Sequence, residues 1–346
     1  MSSAPTTKAT RVREAYARSD NDRKAIFIYI VRRVLSALGT LFLISVIVFL
    51  TVSLLGGDSA SVLLGRDATP AALEAARQTL GLDQPLYVRY LEWLGAFVQG
   101  DFGATSASQL AGQPVEIADL IAEPLRNSAI LAMMTFVIAA PISLWLGVTS
   151  GMREGKGSDR TVSSVTLALA SLPEFVLATL LTFVFFYLLR LLPPVSLIPD
   201  GSSPFERPLT LVLPVLTLAL GLLAVTIRQV RAAVIEVAKQ PYVQAARLNG
   251  YPRSIVTSGF ILRNSLAPAV QVLALVLIYL FGGVIVVEQV FAYPGIGNIL
   301  VRAVTEREIA VLQAVTMIIA TLSVTLSLIA DLAVLFLVPK LRTSAR

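Results

Sequence analysis

The sequence predicts an all-α polytopic membrane protein, and three observations predict it. Of 346 residues, 55% are hydrophobic and only 14% are charged, whereas a soluble domain carries about 25% charged residues. The chain holds six uncharged apolar runs, each near the roughly 20 residues that cross a hydrocarbon core about 30 Å thick. The charges between those runs alternate in sign from one side to the other, as expected when basic residues are retained on the cytoplasmic face.

The runs cover residues 34–55, 128–150, 161–189, 209–227, 266–287 and 311–338. Glu174 and Asp331 are the acidic residues inside them. The first run is too long for the apolar part of a signal peptide, and no clean small-residue cleavage site follows it. An even number of spans puts both ends on one side. That side collects 20 of the 28 basic residues and six of the 22 acidic ones, a balance of +14. The opposite side has eight basic and fourteen acidic residues, a balance of −6. Both termini are therefore expected in the cytoplasm. The same asymmetry accounts for the net charge of +6 without nucleic acid as a partner.

Two linking segments carry pattern. The external segment 56–127 contains Tyr87, Tyr90, Leu91, Leu94 and Val98 on one helical face, with Trp93 and the tyrosines suited to a membrane interface. Either a helix lying on the outer membrane surface or an amphipathic helix packed on its own spans is expected there, followed by a turn at Gly100-Asp101-Phe102-Gly103. The loop 228–265 is more informative. Span four has no Gly or Pro from Arg228 until Pro241, so it is expected to run on as a helix past the membrane. Pro241 stops it, Tyr242 to Asn249 form a short separate helix, and Gly250 stands where a helix commonly ends. Eight residues make a rod about 12 Å long. Ala245 and Ala246 leave part of its surface nearly bare. On these residues alone it is either a docking piece or an interfacial helix with no partner.

The stretch Tyr242-Val243-Gln244-Ala245-Ala246-Arg247-Leu248-Asn249-Gly250, with Pro268 after it, resembles the cytoplasmic "EAA" loop of importer-type ABC permeases of the dipeptide/oligopeptide/nickel branch. Three further stretches look like the same branch. They are Leu80-Gly81-Leu82-Asp83-Gln84-Pro85-Leu86, Ser171-Leu172-Pro173-Glu174-Phe175, and the run from Val286 through Glu288 and Pro294 to Gly297. The likeness spans residues 32 to 342, between a basic tail at 1–31 and a short tail at 343–346. Gln244 departs from the glutamate common at that position. The resemblance implies a six-span permease subunit in a prokaryotic cytoplasmic membrane. It implies a second permease subunit, a different chain, as partner, with cargo handed over by an external solute-binding protein. Two ATPase subunits, which hold the ATP and magnesium, drive the cycle. Tyr242, Gln244, Ala245, Ala246, Arg247 and Gly250 would then couple to an ATPase, and Pro294, Gly295 and Gly297 would form a re-entrant turn near an external gate. Di- or oligopeptides are the expected cargo.

The same residues exclude other chemistry. With no Cys and no His, thiol catalysis, disulfides, imidazole metal sites and His-based mechanisms are absent. The nearest approach to a phosphate-binding loop, Gly151-Met152-Arg153-Glu154-Gly155-Lys156-Gly157, is one residue short and has Gly after its Lys. The chain is thus expected to be no enzyme and to need no cofactor of its own. A stand-alone secondary transporter or channel would show related halves, and no repeat is seen. An intramembrane enzyme would need an acid pair in Glu174 and Asp331, without a nucleophile beside either. Pro173 and Glu174 fall thirteen residues into span three, about 20 Å along a continuous helix. A carboxylate so placed either lines the translocation path and attracts a cationic or peptide amino group, or is hydrogen-bonded to a neighbouring span. Asp331, nearer the cytoplasmic end, is expected to be structural, either snorkelling or linking to another span.

Overall fold

The computed structural model describes residues 8–55, 64, 68–199 and 201–337. The expected C-terminal tail, the first seven residues and most of the stretch just after the first span lie outside them. The helices are α1 Lys8–Leu55, α2 Pro70–Thr79, α3 Leu86–Val98, α4 Ser106–Leu110, α5 Ile117–Met152, α6 Gly157–Ala170 and α7 Glu174–Thr182. They continue with α8 Pro208–Ala238, α9 Pro241–Leu248, α10 Arg253–Ile255, α11 Arg263–Phe291, α12 Ile296–Glu306 and α13 Ile309–Leu337. Wide π turns extend α7 over Phe183–Leu188 and join α10 to α11 over Val256–Leu262.

Among the described residues four helices are long and apolar enough to cross a membrane unbroken: Ile26–Ser53, Ile117–Met152, Pro208–Ala238 and Ile309–Ala333. Three more candidates are bent pairs. Arg253–Ser265 and Pro268–Leu280 meet at 42°, across the proline that removes a helix hydrogen bond. Gly157–Ala170 and Glu174–Leu188 meet at 103°. Val284–Phe291 and Ile296–Glu306 meet at 79°. The third predicted run is therefore two arms and not one kinked helix. The depth of about 20 Å assigned to Glu174 along a continuous rise falls with it. Ser171, Leu172 and Pro173 form the corner, and Glu174 begins the second arm.

Helices α5 and α8 run side by side in the same direction and form the closest pairing. The buried positions of α5 recur every fourth residue and are small: Thr135, Ala139, Ser143, Gly147 and Gly151. A Cβ on Gly147 would stand 2.7 Å from Cβ of Val230, and one on Gly151 would stand 2.8 Å from Cβ of Val234. Both distances are shorter than carbon atoms tolerate, so the backbone of α5 rests on α8 only because those side chains are missing. This is the small-xxx-small packing of membrane helices, with glycines at the seam.

Three apolar clusters follow the bundle. The central one joins Leu131, Leu213, Leu222, Leu280, Phe291 and Tyr293. One end is built from Ile117, Ile121, Ile296, Val311 and Val315. At the other end Val230, Val234, Val243, Ala246, Val256 and Ile261 come together. On the periphery Asp331 of α13 forms an ion pair with Arg33 of α1. Of the two structural roles expected of that carboxylate this is the link, tying the first helix to the last.

Helix α3 packs on the first span. Its inward residues are Tyr90, Trp93 and Phe97, whose rings continue into Phe49 of α1 and Phe102. The Tyr90 hydroxyl and the Ser45 hydroxyl share a 2.8 Å hydrogen bond. Tyr87, Leu91 and Val98 of the predicted stripe face outward. The half-buried side of the helix is thus the one that carries the rings, whose large area favours such packing.

Candidate functional site

The first candidate region is the detached helix α9. Pro241 occupies its first turn, where the missing N–H costs nothing. At its far end the Gly250 N–H donates to the Arg247 carbonyl (3.1 Å) and the Tyr251 N–H to the Ala246 carbonyl (3.2 Å). That is a Schellman cap, and Gly250 adopts φ = +76° to make it. Val243 and Ala246 point into the bundle and are buried with Val230, Val234 and Ile261. Tyr242, Gln244, Ala245 and Arg247 face outward together with Leu248, which is 89% exposed. Of the two alanines read as a bare surface, only Ala245 lies on that outward face. Ala246 is the foot on which α9 stands. Beside the helix, Met152, Arg247, Tyr251, Arg253, Val256 and Thr257 line a cavity of about 510 Å³.

The mounting of α9 is stiff. Helix α8 reaches it unbroken to Ala238. Asp159, at 2% exposure, accepts hydrogen bonds from two of the three guanidinium nitrogens of Arg231 (Nε–Oδ1 2.5 Å, Nη2–Oδ2 2.8 Å). It also accepts from the Ser150 hydroxyl (2.5 Å) and the Gly155 N–H (2.9 Å). Lys239 and Glu154 add a more exposed pair at 2.9 Å. The turn after α5, which superficially resembles a phosphate loop, is thus clamped to α8 by a bidentate pair. Sequence reading missed this clamp because its partners lie 72 positions apart.

The second region is the turn after α11. Ala292 takes φ = +48°, and Phe291 and Tyr293 are fully buried. Glu288, 0% exposed, is the centre of the arrangement. Its Oε1 accepts from the Ser128 hydroxyl (2.5 Å) and its Oε2 from the Gly297 N–H (2.7 Å). The Ser128 oxygen in turn accepts from the Ile296 N–H (2.8 Å). The carboxylate therefore sits on the first turn of α12, where unpaired N–H groups favour negative charge. Asn127 donates to the Pro294 carbonyl (3.0 Å), and Tyr293 donates its hydroxyl proton to the Asn127 carbonyl (2.9 Å). A Cβ on Gly295 would lie 2.0 Å from Glu288 Oε1, and one on Gly297 would lie 2.7 Å from the Ile285 Cα. The Gly-x-Gly pair is required by close approach to a carboxylate of this chain. Pro294, Gly295 and Gly297 are brought together around Glu288, a residue that sequence reading had left just outside span five at its 287 boundary.

The third region is the corner before α7. Glu174 lies in the first turn of that helix, again where the dipole favours a carboxylate. Its Oε1 accepts a 2.7 Å hydrogen bond from the Tyr279 hydroxyl of α11. Pro173 caps the helix from outside.

Residues 139–343 match the family described as "Binding-protein-dependent transport system inner membrane component", and residues 26–112 match the description "Binding-prot-dependent transport system membrane comp, N-term". The glutathione transport system permease protein GsiC of Escherichia coli (strain K12) is 34% identical over 314 residues, covering 91% of this chain and 98% of the relative. A protein of Brucella abortus (strain 2308) named as a peptide transport system permease is 33% identical over 313 residues, covering 90% and 98%. A solved amino acid ABC transporter crystallised with histidines aligns at 18% identity with a TM-score of 0.49, over 62% of this chain and 92% of that one.

Proposed function

Because the chain belongs to the family of binding-protein-dependent transport system inner membrane components, we propose that it forms half of a peptide path across the membrane and that α9 receives the driving stroke from a separate ATPase. The chain is a multi-pass membrane transport subunit. Its relatives are named for glutathione and for peptide, and peptide is the cargo assigned here. The charge asymmetry supports a cytoplasmic position for α9 and both termini. The working assembly then comprises this chain, a second permease, two ATPases that bind ATP and magnesium, and an external binding protein.

One observation carries this reading: α9 buries Val243 and Ala246 in its own bundle and turns Gln244, Ala245, Arg247 and Leu248 outward at the end of a stiff lever. A short helix held in this way transmits a push instead of absorbing it. Arg247 and Arg253, on the rim of the adjoining cavity, suit an acidic side chain of the ATPase. The absence of a phosphate-binding loop supports a subunit with no ATP hydrolysis of its own.

Gly250→Val tests the lever. Nothing lies within 4 Å of a Cβ at Gly250, so the substitution acts through the backbone. A branched residue at φ = +76° is disfavoured by about 1–2 kcal/mol, enough to unwind the cap and tilt α9. The expected result is a complex that inserts and assembles but loses at least about tenfold in uptake per ATP hydrolysed, read by parallel uptake and phosphate-release assays. Unchanged stoichiometry counts against α9 as the coupling piece.

Glu174 is assigned to the path as an acceptor for the ammonium group of a peptide, with Tyr279 orienting the carboxylate. Glu174→Gln removes the charge and keeps the shape. Uptake of a peptide with a free amino terminus is expected to fall about tenfold, equivalent to about 1.4 kcal/mol, while an N-acetylated analogue is little affected. Equal losses for both peptides would assign Glu174 to packing.

A further inference from the structure

We propose that Glu288 is a positioning residue for transport, tying the turn at Pro294–Gly297 to α5 so that the turn follows the same lever that α9 drives. This inference rests on the coupling role assigned to α9 above.

Its physical basis is that α5 carries specific attachments at both ends. At one end Gly147 and Gly151 lie directly on Val230 and Val234 of α8, and Ser150 joins the Asp159–Arg231 clamp. Val230 and Val234 belong to the same cluster as Val243 and Ala246, the feet of α9. At the other end two neighbouring residues of α5, Asn127 and Ser128, hold the turn. The Ser128 hydroxyl donates to Glu288 and accepts from Ile296, while Asn127 donates to Pro294 and accepts from Tyr293. At about 1.5 Å per residue, the stretch of α5 from Ser128 to Gly151 bridges roughly 35 Å between these attachments.

The fit around Glu288 leaves no room for slack. Its carboxylate is fully buried, and the backbone of Gly295 approaches so closely that a methyl group could not be added. Such a junction is either made or broken, which is the discrete behaviour that lets a packed element pass a displacement on. Untying Ser128 leaves Glu288 its bond to the Gly297 N–H. The turn can then stay folded, held to α5 by Asn127 alone, while losing the tie that runs through Glu288.

The natural absence of cysteine makes the test direct. Two pairs of spin labels on introduced cysteines, in the full complex with its ATPases, report the two ends separately. One pair is at Arg32 and Asn249, the other at Leu50 and Val304, all exposed positions. In the wild-type sequence both distances are expected to change on ATP binding. In Ser128→Ala and in Glu288→Gln the first change is retained, the second is lost, and uptake per ATP falls at least tenfold. A second distance that still changes with wild-type amplitude in either variant overturns the proposal. Failure of both variants to assemble also overturns it, since the junction is then needed for folding alone. If the Arg32–Asn249 distance in the wild-type complex does not respond to ATP, the coupling role of α9 fails, and this inference falls with it.

Discussion

Gly151→Leu is expected to cost the bundle at least about 3 kcal/mol, at or beyond the upper end of ordinary overpacking, and to leave little chain in a monodisperse complex after solubilisation. The reason lies in what already occupies the space. A first carbon at Gly151 meets Cβ of Val234 at 2.8 Å, Cγ1 at 2.9 Å and the Arg231 carbonyl oxygen at 3.0 Å. Leucine adds three more carbons beyond that point. Neither a Cβ nor a backbone oxygen can rotate aside, so the two helices must separate along a seam that also includes Gly147 and Val230. Val234→Ala in the same chain is not expected to restore assembly, because the Cβ it retains is itself among the obstacles. Gly39→Leu is the matching control. That glycine has nothing within 4 Å, and a leucine there is expected to leave assembly unchanged. Size-exclusion profiles of the three variants, with a thermal ramp in detergent, check the ranking. Wild-type behaviour of Gly151→Leu would mean that α5 and α8 do not meet as described.

Asp159→Ala is expected to be nearly as damaging, by a different route. The carboxylate is 2% exposed and the Arg231 side chain 28%. Removing one partner of a fully buried pair costs about 3–5 kcal/mol, and the partial exposure of the Arg231 left behind places the loss here at or below the lower end, about 2–3 kcal/mol. Ser150 and the Gly155 N–H lose their acceptor as well. Replacing both charges, as Asp159→Leu with Arg231→Met, is expected to recover most of the lost stability, since apolar groups of similar volume often substitute for a buried pair at little net cost. Coupling should not recover to the same extent, because the double variant restores packing without the bidentate geometry that holds the turn on α8. Thermal stability of the complex and uptake per ATP, measured on the same preparations, separate the two effects. Equal stability of Asp159→Ala and wild type would show that the clamp contributes nothing to the fold.

Much of this architecture was legible before any coordinates, and the parts that were not share a cause. Four of the six runs correspond to unbroken helices because an apolar stretch of 20 residues in lipid has few other ways to satisfy its backbone. The bounds of α9 follow from Pro241 and Gly250, whose backbone restrictions act locally. Pro173 was equally visible, yet a proline states only that one hydrogen bond is missing. Whether the chain kinks or turns by 103° depends on neighbours that close the gap. Glu288 was read as external because the run was ended one residue before it. The glycines at 147 and 151 form a recognisable small-residue spacing, but the spacing does not say which helix lies across it. The Asp159–Arg231 clamp and the Ser128–Glu288 tie join residues 72 and 160 positions apart, and no local pattern announces such pairs. On α3 the helical period was legible, while the ring contacts that Tyr90, Trp93 and Phe97 make with Phe49 and Phe102 were not, because they join separate segments of the chain.

The central claim is that this chain supplies the path and the lever while the energy comes from elsewhere. Reconstituting the purified chain alone in liposomes, then adding the second permease, the ATPases and the binding protein, tests it most directly. ATP hydrolysis and concentrative peptide uptake should both be absent from the chain alone and appear together only in the complete assembly. Hydrolysis of ATP, or accumulation of peptide against a gradient, by the isolated chain would contradict the account.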